Sequence, residues 1–254
     1  MVNLLGHSFF YNDNLYISTD FSLFFSIPVD NDHRKLANTL IGILSGGFSI
    51  LLAFVIINTW NYHLQARNSV SKEADYLAVI LRNIAVFPPP VQEKITEATR
   101  NYTVAVRVDE WKTMRKGKES QKAWDAIEAL YLSLQAYQPA PGRESFYYTQ
   151  AVANIDNLLQ ARRERLNELE SVIPNALRTS LVIGAIILAI ILGIIRGERG
   201  FLNIVPALLF AGTLGFNLAL ALSFDYPYSG DISISNKLFY SGVLKKFQDQ
   251  VKNQ

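Results

Sequence analysis

Residues 179–224 read TSLVIGAIILAIILGIIRGERGFLNIVPALLFAGTLGFNLALALSF, and this stretch decides the fold. Its only charged side chains lie together between two apolar runs: Arg196, Glu198 and Arg199. A helix needs roughly 17 to 25 largely apolar residues to cross the hydrocarbon core of a bilayer, and each run meets that length. The stretch therefore predicts a transmembrane helical hairpin, whose arms are residues 173–195 and residues 200–224.

A third uncharged segment, residues 36–60, precedes the hairpin and predicts the first crossing. It ends at Trp60, close to Tyr62, and both residue types favour the headgroup region of a bilayer. Residues 1–35 predict an amphipathic N-terminal arm, because apolar and polar side chains alternate over residues 15–27. That alternation fits a half-buried strand, and the same residues also fit a helix lying on the membrane surface.

The polar residues between the first and second crossings have a helix-forming composition. Residues 61–172 predict a helical bundle, with a break at Pro88–Pro90 and a turn at residues 139–142. The fold class expected is therefore all-α, with three transmembrane helices and a helical bundle inserted between the first and second. Residues 225–254 predict an interfacial segment followed by a polar tail that frays or forms a short surface helix.

Composition excludes several classes of function. The chain of 254 residues carries 24 basic and 22 acidic side chains, so it lacks the basic excess that nucleic-acid binding requires. It has no cysteine, and His7, His33 and His63 are far apart in sequence. We find no spacing typical of a catalytic nucleophile, a metal site or a nucleotide loop. We therefore expect no enzyme activity, no cofactor, no metal and no nucleic-acid partner.

Small residues recur at four-residue steps in all three crossings. This spacing lets a second helix approach closely in lipid, where packing drives association. We expect these residues to contact helices of the same chain or of another subunit: Gly42, Gly46, Ala185, Ala189, Gly193, Ala211 and Gly215.

A few polar side chains interrupt the apolar segments. Such groups are costly in lipid unless they face protein or water. Thr213 and Asn217 are four residues apart on one helical face, and Ser45 and Ser49 have the same spacing in the first crossing. These four residues, with Arg178 near the mouth, are candidates to line an ion pore; the alternative is interhelical hydrogen bonding without conduction.

The basic run at Arg162, Arg163 and Arg165 allows two interpretations. It predicts an anion-attracting ring if several subunits surround a pore. It also fits a solvated helix face, on which Glu168 and Glu170 complete local ion pairs.

The order of several short motifs resembles the bacterial bestrophin-like domain family, whose members are integral membrane domains of unknown function. The resemblance covers residues 42–239 and is carried by these features: Gly47, Phe48, Leu52, Ala53, Phe54 and Trp60; Glu73 and Ala74; Tyr102, Glu110, Trp111 and Met114; Arg162, Arg163, Arg165, Leu166 and Pro174; Asp225, Pro227, Tyr228, Ser229 and Gly230. Members usually have a further transmembrane helix ahead of the first crossing, where this chain has the short arm.

The resemblance implies kinship to pentameric anion channels, without a calcium site in this chain. We therefore expect a multi-pass protein of the inner membrane whose partners are the lipid bilayer, further copies of the chain and inorganic ions. The alternative is a non-conducting helical scaffold or sensor that binds a protein. Basic residues flanking the crossings favour a bundle and C-terminus on the cytoplasmic side.

Overall fold

The computed structural model describes residues 31–195, 201–230 and 232–247, which form helices and connecting loops and contain no strand. The helices follow in this order: α1 Asn31–Asn83, α2 Pro89–Val104, α3 Trp111–Met114, α4 Gln121–Gln135, α5 Arg143–Asn167, α6 Asn175–Ile195 and α7 Phe201–Ser223. A π-helical turn, Ala105–Glu110, joins α2 to α3.

Helix α1 is the longest element and runs through both halves of the molecule. Its 53 residues correspond to about 80 Å, whereas the hydrocarbon core of a bilayer is about 30 Å thick. The helix begins at Asn31, and the loop at Pro88 follows soon after its end. The first crossing and the first helix of the bundle are therefore one continuous helix.

Three helices are long and apolar enough to cross a membrane, with apolar segments in α1, α6 and α7. Their large apolar side chains are widely exposed, including Ile43, Phe54, Ile186, Leu208 and Phe216. Side chains of this kind are stable on an outer surface only when lipid or another protein covers them. The predicted fold class, three membrane helices with a bundle between the first and second, is confirmed.

The bundle consists of the second half of α1 with α2, α4 and α5. Its core is closely packed and apolar, and fully buried members include Leu77, Ile80, Ile95, Leu130 and Leu158. A smaller apolar cluster, built around Leu52, Val55 and Leu181, joins the membrane helices where they approach the bundle. The division of the chain at residues 35, 60, 172, 195, 200 and 224 stays a prediction.

The segment after α7 packs against the bundle over residues 236–247. Two short 3-10 turns, Asn236–Tyr240 and Gly242–Lys246, pack Phe239, Leu244 and Phe247 into the bundle core. Burial of these three large apolar side chains outweighs the exposure of the polar residues between them. The polar tail at the end of the chain stays a prediction. The N-terminal arm up to residue 30, the hairpin turn at residues 196–200 and the last residues, 248–254, lie outside the described residues.

Candidate functional site

The predicted pore residues of α1 and α7 meet in one cavity. Ser45, Ser49, Thr213 and Asn217 line a space of about 270 Å³ between α1, α6 and α7, which we call the membrane cleft. The remaining walls are apolar: Leu52, Ala53, Ile56, Leu188, Phe210 and Leu214. The cleft therefore presents hydroxyl and amide groups within an otherwise apolar, lipid-facing region.

The polar groups of the cleft differ in how they are satisfied. Ser45 Oγ donates to the carbonyl of Gly42 at 3.3 Å, within its own helix. For the side chains of Ser49, Thr213 and Asn217, the described part of the chain supplies no hydrogen-bond partner. Because an unsatisfied amide in lipid costs several kcal/mol, on the order of 4, Asn217 requires water or another subunit.

The predicted packing glycines lie open in this chain. A Cβ atom added at Gly42, Gly46 or Gly215 would meet no other side chain within 4 Å, so the described residues place no helix against them. The close approach occurs instead at Gly184, where an added Cβ would lie 2.7 Å from the ring of Phe48. Ala185 and Gly193 are half-buried, whereas Ala189 and Ala211 are exposed. A packing role for these residues against another subunit stays a prediction.

Arg178 lies apart from the cleft residues, in a polar junction that we call the latch. Asp225, which is buried just after α7, accepts hydrogen bonds from the Ile173 amide at 2.7 Å and from Ser171 Oγ at 3.0 Å. Arg178 forms an ion pair with the same carboxylate. The latch therefore ties the start of α6 to the end of α7 at the bundle side of the membrane helices.

A cluster of charged side chains is buried at the centre of the bundle; we call it the arginine–glutamate cluster. Arg165 on α5 donates to both Glu73 of α1 and Glu110 of the π turn, each at 2.5 Å. Arg162, one turn earlier on α5, pairs with the other oxygen of Glu110 at 2.5 Å. Tyr102 Oη donates to Glu73 at 2.6 Å. All four charged side chains are fully buried, and their formal charges cancel.

Pairing keeps Glu110 ionised. Burial alone would raise the pKa of Glu110, but the charge of Arg165 and the hydrogen bond from Arg162 hold that pKa below its usual value. The guanidinium of Arg162 also stacks on the ring of Trp124, with its central carbon 3.9 Å from the ring centroid. Its Nη1 atom has no hydrogen-bond partner among the described residues.

This burial corrects both interpretations of the basic run. Arg162 and Arg165 are neither a pore-facing ring nor a solvated face, because buried carboxylates from two other elements neutralise them. Only Arg163, between them, is exposed. Glu110, in the π turn, pairs with both Arg162 and Arg165 of α5.

Glu168, just after α5, is a further buried carboxylate, and among the described residues it has no ion-pair partner. Ser69 Oγ donates to its Oε1 at 3.2 Å, and Tyr228 Oη lies 3.2 Å from its Oε2 and 3.1 Å from the Ala66 carbonyl. Burial raises the pKa of Glu168 to about 7, and the hydrogen bonds from Ser69 and Tyr228 offset this only partly. Nearby Glu164 raises this pKa further, whereas Arg165 lowers it.

The residues that carry the resemblance to bestrophin-like domains converge in these junctions. Glu73, Glu110, Arg162 and Arg165 form the arginine–glutamate cluster, and Tyr102, Trp111 and Met114 contact it. Asp225 and Tyr228 lie at the junction with the membrane helices. These residues are far apart in sequence, and the fold brings them together. Among the described residues, no group of three or more His, Asp or Glu side chains is placed to hold a metal ion.

Comparison with known proteins agrees with this arrangement. A family model described as the bestrophin-like domain matches residues 17–239, which is most of the chain. No curated protein matches the chain.

Solved structures of a bacterial bestrophin homolog from Klebsiella pneumoniae share the fold. One, phased on zinc, has a TM-score of 0.67 and 12% identity, and covers 78% of this chain and 81% of that chain. Two point variants of that homolog give TM-scores of 0.68 and 0.66 at 11% and 12% identity, and both cover 78% of this chain and 82% of theirs. The family match and the three membrane helices lead to one conclusion: the chain is a membrane protein that belongs to the bestrophin-like domain family.

Proposed function

We propose that this protein assembles as a homo-oligomer in the inner membrane and conducts inorganic anions, with the membrane cleft of each subunit on the ion pathway. The observation that carries the proposal is the unsatisfied polar wall of the cleft. Thr213 and Asn217 find no partner in the described part of their own chain, and water along a pathway would satisfy them. A role for Arg178 at the mouth of the pathway stays a prediction, because its charge is paired with Asp225.

Assembly is supported by the open small-residue faces. Gly42 and Gly46 on α1 and Gly215 on α7 leave backbone exposed that another helix can approach closely. The same faces favour the alternative function, in which Thr213 and Asn217 bond across a subunit interface and the assembly is a non-conducting scaffold or sensor. The two functions differ in whether ions pass.

Purified protein reconstituted in planar bilayers tests the proposal. We expect native mass spectrometry to give the mass of a closed ring of subunits. In a potassium chloride gradient, the reversal potential should have the sign that anion selectivity produces. Asn217→Ala should change the conductance or the chloride-to-gluconate selectivity by about twofold or more, because it removes a polar group from the pathway.

The matched control is Ser223→Ala on the same helix, since that hydroxyl is satisfied by the carbonyl of Ala219. The control should conduct as the unmodified protein does. A monomer or dimer without conductance would overturn the channel proposal and leave the scaffold. A conducting ring that is insensitive to Asn217→Ala and to Thr213→Val would remove the cleft from the pathway.

The orientation proposed places the bundle and the C-terminus in the cytoplasm. Because the chain has no cysteine, one introduced cysteine reports its own accessibility. We expect an impermeant maleimide to label Gly197→Cys in intact cells, and to label Lys94→Cys, on the exposed surface of the bundle, only after permeabilisation. External labelling at Lys94→Cys would reverse the orientation.

A further inference from the structure

The turn between α3 and α4 is strongly basic and lies beside the membrane junction. Residues 112–118 contain four basic side chains and no acidic one, and we call this segment the basic loop: Lys112, Arg115, Lys116 and Lys118. All four side chains are exposed. No salt bridge among the described residues involves any of them. The segment therefore carries four charges that the bundle itself does not neutralise.

The neighbouring carboxylates are already engaged. Asp109 pairs with Lys122 at 3.0 Å, and Glu110 is held inside the arginine–glutamate cluster. Glu119 accepts a hydrogen bond from Trp124 Nε1 at 2.8 Å. The acidic groups before and after the basic loop are thus directed to other partners.

The shape of the basic loop is fixed by its backbone. The amides of Lys116 and Lys118 both donate to the Thr113 carbonyl, at 2.8 and 3.1 Å, and the amide of Gly117 donates to Met114 at 2.9 Å. Gly117 has a φ of +67°, a left-handed conformation that glycine adopts without strain. The basic side chains therefore project from an ordered turn.

The basic loop faces the segment that leaves the membrane. A pocket of about 330 Å³ has Arg115, Lys116 and Gly117 on one side and Tyr226, Tyr228 and Ser229 on the other. Tyr226 follows the end of α7 by three residues, is 40% exposed, and lies over Arg178 near the start of α6. Tyrosine at the end of a membrane helix marks the headgroup level. The pocket therefore lies at the height of the lipid phosphates.

We propose that this pocket and the basic loop bind the phosphodiester headgroup of an anionic phospholipid of the adjoining leaflet. Arginine and lysine donate charge-assisted hydrogen bonds to phosphate oxygens, and clusters of basic residues beside a membrane helix attract anionic lipids. The exposed ring of Tyr226 suits the boundary between headgroup and acyl chain.

The open character of the site favours a lipid over a free anion. Its four charges are exposed, so a small dissolved anion remains hydrated there and gains little. A bilayer, in contrast, holds a dense plane of phosphates at this height. The lipid would bridge the bundle to the membrane helices beside the latch, and this inference does not depend on conduction.

Native mass spectrometry tests the proposal. The protein is first eluted in the presence of equal amounts of phosphatidylglycerol and phosphatidylcholine. We expect preferential retention of phosphatidylglycerol, and at least a fivefold loss of that retention in the triple variant Arg115→Gln, Lys116→Gln and Lys118→Gln. The matched control changes three exposed basic residues at the opposite end of the bundle, Arg82→Gln, Lys94→Gln and Arg143→Gln, and should retain the lipid. Should the first triple variant fail to fold, the double variant Lys116→Gln and Lys118→Gln replaces it.

A separate arm distinguishes the lipid from free phosphate. Inorganic phosphate should displace no more lipid than sodium chloride of equal ionic strength does. Displacement beyond that level would identify a site for free anions and overturn the lipid assignment. Equal lipid retention by the basic-loop variant and the control variant would overturn it as well.

Discussion

Arg165→Met is expected to cause the largest loss of stability of any single substitution considered for this protein. The arginine bridges Glu73 and Glu110, and its removal leaves two buried carboxylates with only Arg162 as a cation. Removing one partner of a buried ion pair typically costs about 3 to 5 kcal/mol, because the charge left behind remains desolvated. In a protein of this size that corresponds to a fall in apparent Tm of about 6 to 20 °C.

Thermal unfolding of the detergent-solubilised protein, followed by size-exclusion chromatography, measures this effect. Arg163→Met is the matched control, because Arg163 has the same side chain on the same helix but is exposed, and its Tm should hardly change. Adding Glu73→Gln to Arg165→Met should recover part of the loss, since the double variant buries one charge fewer. Equal Tm values for Arg163→Met and Arg165→Met would contradict a structural role for the cluster.

Glu168 is expected to make the protein less stable as the pH rises from about 5 to about 8. In the folded protein the pKa of Glu168 is about 7, above its ordinary value near 4.5, so the folded state holds a proton that the unfolded state has released. Stability is therefore greatest below the ordinary pKa and is lost as the pH passes through the folded value. The loss is on the order of 2 kcal/mol, or about 4 to 8 °C in Tm.

The substitution Glu168→Gln isolates this contribution. A neutral amide mimics the protonated carboxyl toward Ser69 and Tyr228, so the variant should be at least as stable as the unmodified protein at pH 8. The Tm difference between the two proteins should shrink as the pH falls to 5. Glu170→Gln, at an exposed position two residues away, should keep the pH profile of the unmodified protein. An unchanged profile in Glu168→Gln would exclude Glu168 as the titrating group.

The membrane helices could be predicted because lipid contact excludes charge over a whole segment, as it does in residues 36–60. The clustering of Ser45, Ser49, Thr213 and Asn217 in one cleft follows from the same cost, which directs polar groups away from lipid. The packing partners could not be predicted, because small residues on several faces leave the choice open. Gly184, which contacts Phe48, was not singled out for this reason.

The arginine–glutamate cluster was not predicted, because charged side chains in a sequence normally indicate positions exposed to solvent. A positional signal was nevertheless present: Arg162 and Arg165 continue the apolar stripe of α5 that includes Ala151, Ile155 and Leu158. Charged residues in a core-facing stripe require buried counter-charges. Which carboxylates supply them could not be read from sequence, because Glu73 and Glu110 lie 92 and 55 positions from Arg165.

Because α1 is one continuous helix, the directions in which side chains point in its membrane half are fixed relative to those in its bundle half. Each residue of an α-helix turns the chain by about 100°, so inserting or deleting one residue near Trp60 would rotate the membrane half relative to the bundle half by that angle. Leu52 and Val55 could then face their neighbours only if Leu77 and Ile80 turned away from theirs. No loop between the halves can absorb such a change, so the spacing between these two sets of residues is as strictly constrained as their chemistry.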